Sequence, residues 1–174
     1  MDNPPAAHAD PADVDSLDAI VNTLYASVSF AAGQRPDWQR FRSLFRAEAV
    51  LVRVDPLLTG AGGGKVASGA PTHGTQEPLR VSSIEDFVAR TNAAIDSGAL
   101  SAFTERELSR RTEVFADVAQ VFSSYERSAD AGEVHRGINS VQLVKDGERW
   151  WVVSLSWTDE TDAGPLPSRY LPRS

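Results

Sequence analysis

The segment from Arg136 to Trp157 reads as two strands folded back on an Asp146-Gly147 turn, and it constrains the fold more than any other part of the chain. Asp-Gly supplies the positive φ angles that a type I′ turn requires, and the twist of that turn matches the strands it joins. Counting outward from Lys145 facing Glu148 sets Leu143 opposite Trp150, Val141 opposite Val152 and Asn139 opposite Ser154. The other face then carries Ile138, Ser140, Gln142, Trp151, Val153, Leu155 and Trp157. Both faces bear large apolar groups. One is expected to cover a core and the other a pocket or a second subunit, because an exposed tryptophan stripe invites association. A single bulge would exchange the two roles.

Upstream segments supply the helices. Asp15 is positioned to cap a first helix on which Val14, Leu17, Val21, Leu24 and Val28 form an apolar stripe with Tyr25 at its edge. Gly33 to Pro36 interrupts, and Trp38, Phe41, Leu44 and Phe45 give a short second helix. Ala49 to Asp55 is a β-branched run that Pro56 stops. A glycine-rich stretch, 56–81, is expected to be a mobile loop over one end of the domain. Ser82 and Glu85 suggest a capping box for a helix through Ile84, Phe87, Val88, Thr91 and Ile95, closed by Gly98. Phe103–Val114 and Val118–Glu126 read as strands bending at Ala116-Asp117. The expected organisation is a flexible segment 1–13, one α+β domain over 14–158, and a Pro-rich tail 159–174 that is disordered or lies along a partner.

A net charge of −7 argues against nucleic acid and anionic membrane surfaces as partners, since both select basic proteins. There is no cysteine, so thiol chemistry and disulfide scaffolding are excluded. The amino-terminal stretch lacks the basic start and apolar run of a signal peptide, which makes the cytoplasm the default location. Gly60 to Lys65 falls short of a phosphate loop, because Thr59 and Val66 stand at positions that need glycine and a hydroxyl. His8, His73 and His135 have no metal-ligand spacing. Neither a metal nor a cofactor is expected.

Four phrases carry a family resemblance: Tyr25-Ala26-Ser27, Asp37 to Phe45, Ala49 to Val52, and Gly147 to Val153. Together they resemble the nuclear transport factor 2-like (NTF2-like) superfamily, in particular its SnoaL-like and ketosteroid-isomerase-like branch. The resemblance implies a cone: a strongly bent antiparallel sheet with N-terminal helices packed on its concave side, a pocket between them, and homodimers formed through the sheet. It implies no single function, since the superfamily holds isomerases, dehydratases, cyclases, epoxide hydrolases and non-catalytic binding subunits.

The steroid isomerases of that group use a tyrosine on the first helix, an aspartate before a proline at the end of the first strand, and an acid on the penultimate strand. These match Tyr25, Asp55 before Pro56, and Asn139. The last is a departure, because an amide is a weaker donor to a developing enolate than a protonated carboxylic acid. Trp38, Phe87 and Trp157 are the expected ligand-contacting side chains. Arg53 and Asp55 share one strand face, and Glu105, Glu107 and Arg111 share another; either group suits the acid–Arg–acid set of some epoxide hydrolases, although alternating charges on a sheet face are more often a solvated ladder. Two classes of function follow. One is a cofactor-free isomerase, cyclase, dehydratase or hydrolase acting on a small, largely apolar carbonyl or cyclic compound, with Asp55 as base. The other is a non-catalytic dimeric module for ligand or protein binding.

Overall fold

The computed structural model describes residues 8–55, 79–130, 132–162 and 164–172. Most of the glycine-rich stretch lies outside them. Four helices come from the first part of the chain: α1 (Pro11–Val14), α2 (Leu17–Val28), α3 (Trp38–Ser43) and α4 (Ile84–Asp96). Six strands, β1 (Phe45–Val54), β2 (Leu79–Ser82), β3 (Phe103–Phe115), β4 (Val118–Ala129), β5 (His135–Asp146) and β6 (Arg149–Asp159), form one sheet in the order β2-β1-β6-β5-β4-β3. It is not wholly antiparallel, because β1 runs parallel to β6.

Helix starts differ from expectation by small steps with clear causes. Asp10 caps α1, so order begins before residue 14, and Asp13 is tied to Arg40 by two hydrogen bonds of 2.6 and 2.8 Å. Ser16, rather than Asp15, caps α2. The stripe that α2 buries is centred on Ile20, Val21, Leu24 and Tyr25, which places Tyr25 inside the core at 6% exposure. The α4 capping box is Ser83 with Asp86, one residue later than expected, because Leu79–Ser82 is spent on pairing with β1. Gly98, at φ +75°, closes that helix.

Three bulges shape the sheet. In the final hairpin Asp146 pairs with Arg149 and Leu143 with Val152, two residues away from the expected register, a shift that preserves the faces. Gln142 then pairs with Ser154, leaving Val153 without a partner. From that point β6 is turned over. Leu155 and Trp157 face the helices beside Trp150 and Val152, and Asn139 pairs with Trp157 instead of Ser154. On β3 the extra residue is Leu108, between Glu107 paired with Tyr125 and Ser109 paired with Ser124. On β1 the pairing with β6 is broken between Phe45 and Val50.

On the outer face the tryptophan is covered by arginines of the same chain. Trp151 is overlain by the guanidinium of Arg149, 3.3 Å from the ring centre, with Arg46 at 5.1 Å. The carboxy-terminal tail also folds back on this face. A 3-10 turn at Ser168–Tyr170 places Tyr170 against Phe122, and Ser124 Oγ donates to the Tyr170 carbonyl at 2.5 Å. Among the described residues no helix is long and apolar enough to cross a membrane.

One close approach depends on glycine. Gly137 lies between Tyr125 on β4 and Asp159 on β6 in register, and the Tyr125 phenol crosses it to donate to Asp159 Oδ1 at 2.8 Å. A Cβ at 137 would stand 2.3 Å from both Tyr125 Oη and the Thr158 carbonyl. Gly137→Ala should therefore cost about 1–3 kcal/mol of stability, as overpacking does. Urea unfolding of the two proteins checks this; an unchanged midpoint would mean that the phenol has somewhere else to go.

Candidate functional site

Between the inner face of the sheet and α2, α3 and α4 lies a cavity of about 200 Å³. An engineered cavity of about 150 Å³ already admits benzene, and drug-sized sites start near 300 Å³. The space suits a single substituted ring or a short chain. Its apolar wall is aromatic: Trp38 meets Phe41 and Phe87 edge-on at 5.6 and 6.1 Å, and Phe87 meets Trp157 at 6.0 Å. Trp38, Phe87 and Trp157 thus all line it, with the Trp38 indole anchored by an N–H donated to Asn92 at 2.8 Å.

The polar part of the wall comes from alternate residues of neighbouring strands. Tyr25 and Asn139 are brought together, with Asn139 Nδ2 donating to Tyr25 Oη at 3.1 Å. The same amide nitrogen donates to Glu105 Oε1 at 3.1 Å. Both amide hydrogens of Asn139 are then used. The Tyr25 hydroxyl lies 2.6 Å from Ser123 Oγ, and Ser123 donates to Glu107 Oε1 at 2.5 Å. Because Ser123 gives its one hydrogen to a carboxylate, the Tyr25 hydrogen points to Ser123 and away from the cavity. Arg110 completes this chain, binding Glu107 at 2.6 Å and reaching Asp18 and Asn22 on α2 at 2.7 Å each.

Glu105, which alternation groups with Glu107 and Arg111 without singling it out, is the acid of the cavity wall. Its strand looks like a solvated ladder, yet Glu105 faces the cavity and Glu107 is largely covered by its ion pair with Arg110 beside α2. The bulge at Leu108 removes Arg111 from that face and puts Arg110 in its place. Burial pushes the Glu105 carboxyl up to about 7; Asn139 and Arg127 pull the other way, and Asp159 adds to the rise. Beside it, Arg127 grips Asp159 through Nε at 3.0 Å and through Nη2. Burial alone would raise Asp159, but Arg127, Tyr125 and Arg53 together hold it below the ordinary carboxylate range. Burial raises the Tyr25 and Tyr125 phenols far above their usual value, so both stay protonated.

Asp55 sits apart from this group. It lies at the end of β1 in a 2.6 Å ion pair with Arg53 and borders a neighbouring groove, not the aromatic cavity. Arg53 does stand between two acids, since Asp159 is 3.6 Å from its other side. His8 and His135 are both exposed, and His73 is outside the described residues. Among the described residues no three His, Cys, Asp or Glu side chains converge as a metal site would require.

No family model matches the chain, and no protein of established description matches it by sequence. Solved structures do match. Kfla4162 of Kribbella flavida aligns over 82% of this chain and 88% of its own at 15% identity, with a TM-score of 0.54. A candidate dehydratase from the NTF2-like family of Streptomyces avermitilis aligns over 86% and 96% at 14% identity, also with a TM-score of 0.54. The fold is NTF2-like. A candidate aromatic ring hydroxylase of Novosphingobium aromaticivorans, at 12% identity over 83% and 87% with a TM-score of 0.53, shares this cone too. At these identities the likeness speaks to the fold alone.

The raised Glu105 carboxyl has a consequence for stability. From an ordinary value of 4.5 up to about 7, the folded chain keeps a proton that the unfolded chain releases. Stability therefore falls as pH rises through that window and levels off above it. Glu105→Gln should flatten this slope. Urea unfolding at about pH 5 and about pH 8 measures it, and equal slopes in the two proteins would contradict a raised Glu105.

Proposed function

We propose that this NTF2-like chain is a cofactor-independent proton-transfer enzyme, of the isomerase, cyclase or dehydratase kind, acting on a small and largely apolar carbonyl compound. The observation that carries this reading is Glu105: a carboxyl poised at about 7 on the wall of an aromatic cavity, with one oxygen engaged by Asn139. A general base works best when its pKa lies near the working pH, because it can then both take and return a proton. Oε2 of Glu105 has no protein partner among the described residues. It is the atom that takes a proton from the carbon next to the carbonyl. Returning that proton to another carbon isomerises the substrate, and giving it to a departing hydroxyl dehydrates it.

The developing oxyanion needs a donor, and the bookkeeping of hydrogens narrows the choice. Tyr25 and Asn139 have spent theirs on Ser123, Glu105 and each other, so they position Glu105. Arg127 uses Nε and Nη2 on Asp159, which leaves Nη1 for a ligand oxygen. A hydrolytic reading built on Asp55, Arg53 and Asp159 has less support. Asp159 is held ionised, and an ionised carboxylate has no proton to give to an epoxide oxygen.

The test is exchange of α-hydrogens in small cyclic ketones for deuterium, followed by proton NMR. Exchange should rise with an apparent pKa of about 7 and fall about 10²- to 10⁴-fold in Glu105→Gln, the range typical of losing a general base. Asp55→Asn should stay within a few-fold of the parent. Exchange lost in Asp55→Asn but kept in Glu105→Gln would reverse the assignment. Ketones that bind without any exchange would favour the non-catalytic ligand-binding module.

A further inference from the structure

Beside the aromatic cavity, and sharing Arg53, Phe87 and Trp157 with it, lies a groove of about 230 Å³ between β1, β2 and α4. Three arginines converge on it. Arg53 and Arg80 are direct cross-strand partners, and Arg90 comes from the second turn of α4. Like charges placed directly opposite each other on a sheet destabilise it. Arg53 is compensated by Asp55 and Asp159. Arg80 and Arg90 are not: among the described residues neither has a carboxylate within ion-pair distance. Asp86, one turn before Arg90, is committed to the Ser83 cap at 2.8 Å. Arg90 instead lies over the Phe87 ring at 5.9 Å and donates to Ser82 Oγ at 3.2 Å.

In a chain of net charge −7, two half-buried guanidiniums facing the same groove as a third are an arrangement that the fold itself does not require. Burial and the charges of Arg80 and Arg53 hold the Arg90 guanidinium below its usual value, against an opposing pull from Asp86 that does not offset them. An anion in the groove would relieve the repulsion among these arginines, and guanidinium forks match the planar oxygens of carboxylates and phosphates. We propose that Arg80 and Arg90 form an anion-binding subsite at the rim of the aromatic cavity. The ligand is then a small amphipathic acid, its ring or chain against Phe87 and Trp157 and its carboxylate or phosphate between the two arginines. This rests on reading the cone as a ligand site and adds the charge of the ligand to it.

Three probes differing only in the head group test the subsite on the full chain: 3-phenylpropionate, its methyl ester, and 2-phenylethyl phosphate. Binding is followed by quenching of tryptophan fluorescence, since Trp38 and Trp157 line the cavity. At least one anion should bind about tenfold or more tightly than the neutral ester, and the tighter of the two identifies the head group. The Arg80→Ala, Arg90→Ala double variant should bring the anions to the affinity of the ester and leave the ester unchanged. Arg80→Ala alone should leave the unliganded protein as stable as the parent or more so, because it removes a like-charge pair. Ester and anions binding equally would overturn the subsite and leave the cavity reading intact. Failure of all three to bind would overturn both. A clear loss of stability in Arg80→Ala would show that its charge is already matched within the fold, and would also overturn the proposal.

Discussion

The cavity depends on Val153 being left out of the ladder between β5 and β6. A strand alternates its side chains, so one unpaired residue turns everything beyond it to the opposite face. Without that step Leu155 and Trp157 would look outward and Ser154 and Ser156 inward, and the inner face would have neither its aromatic rim nor the neighbour that Asn139 packs beside. The same residue bends β6, which helps close the sheet around the helices. One backbone irregularity thereby sets both the shape of the cavity and the chemistry of its wall.

The inner face is graded along the strands. Toward the Asp146–Arg149 end, Val121, Val141, Leu143 and Val152 form a dry core, each 1% exposed or less. Toward the other end the same strands present Ser123, Tyr125, Arg127, Asn139 and Asp159. Buried polar groups are costly unless every donor and acceptor is met. Here they are met by one another, and among the described residues no buried side-chain nitrogen or oxygen lacks a partner. The exception in kind is Glu105. Its environment opposes its charge, which is the physical origin of a carboxyl able to exchange protons near neutrality.

Much of this architecture is legible in the sequence, and the errors in side-chain direction share one cause. Strand extents from Phe103 onward and the three main helices follow from periodicity, and Gly98 and the Asp-Gly turn mark real chain reversals. Periodicity, however, carries no information about a bulge. The faces of β6 are right before Val153 and reversed after it, and those of β3 are right before Leu108 and reversed after it. Alternation alone therefore sets Trp157 on the face opposite Asn139, and groups Arg111 rather than Arg110 with Glu105 and Glu107. Nothing in the sequence sets Glu105 above its neighbours, because alternating charges look alike whether water or a helix covers them. Asp55 stood out because it precedes a proline, a local signal that says nothing about which cavity a strand end borders. The edge strand Leu79–Ser82 and the packed tail are too short to show a period.

Arg110 carries a consequence for motion. Its guanidinium is clamped between Glu107 and two side chains on the first turns of α2, and Glu107 in turn fixes Ser123 and so the direction of the Tyr25 hydroxyl. A free phenolic hydroxyl reorients within picoseconds to nanoseconds. This one is biased away from the cavity by its bond to Ser123, which Glu107 and Arg110 orient from the start of α2. Loosening of the start of α2 from the sheet, a local opening of the kind that hydrogen exchange reports, removes that bias.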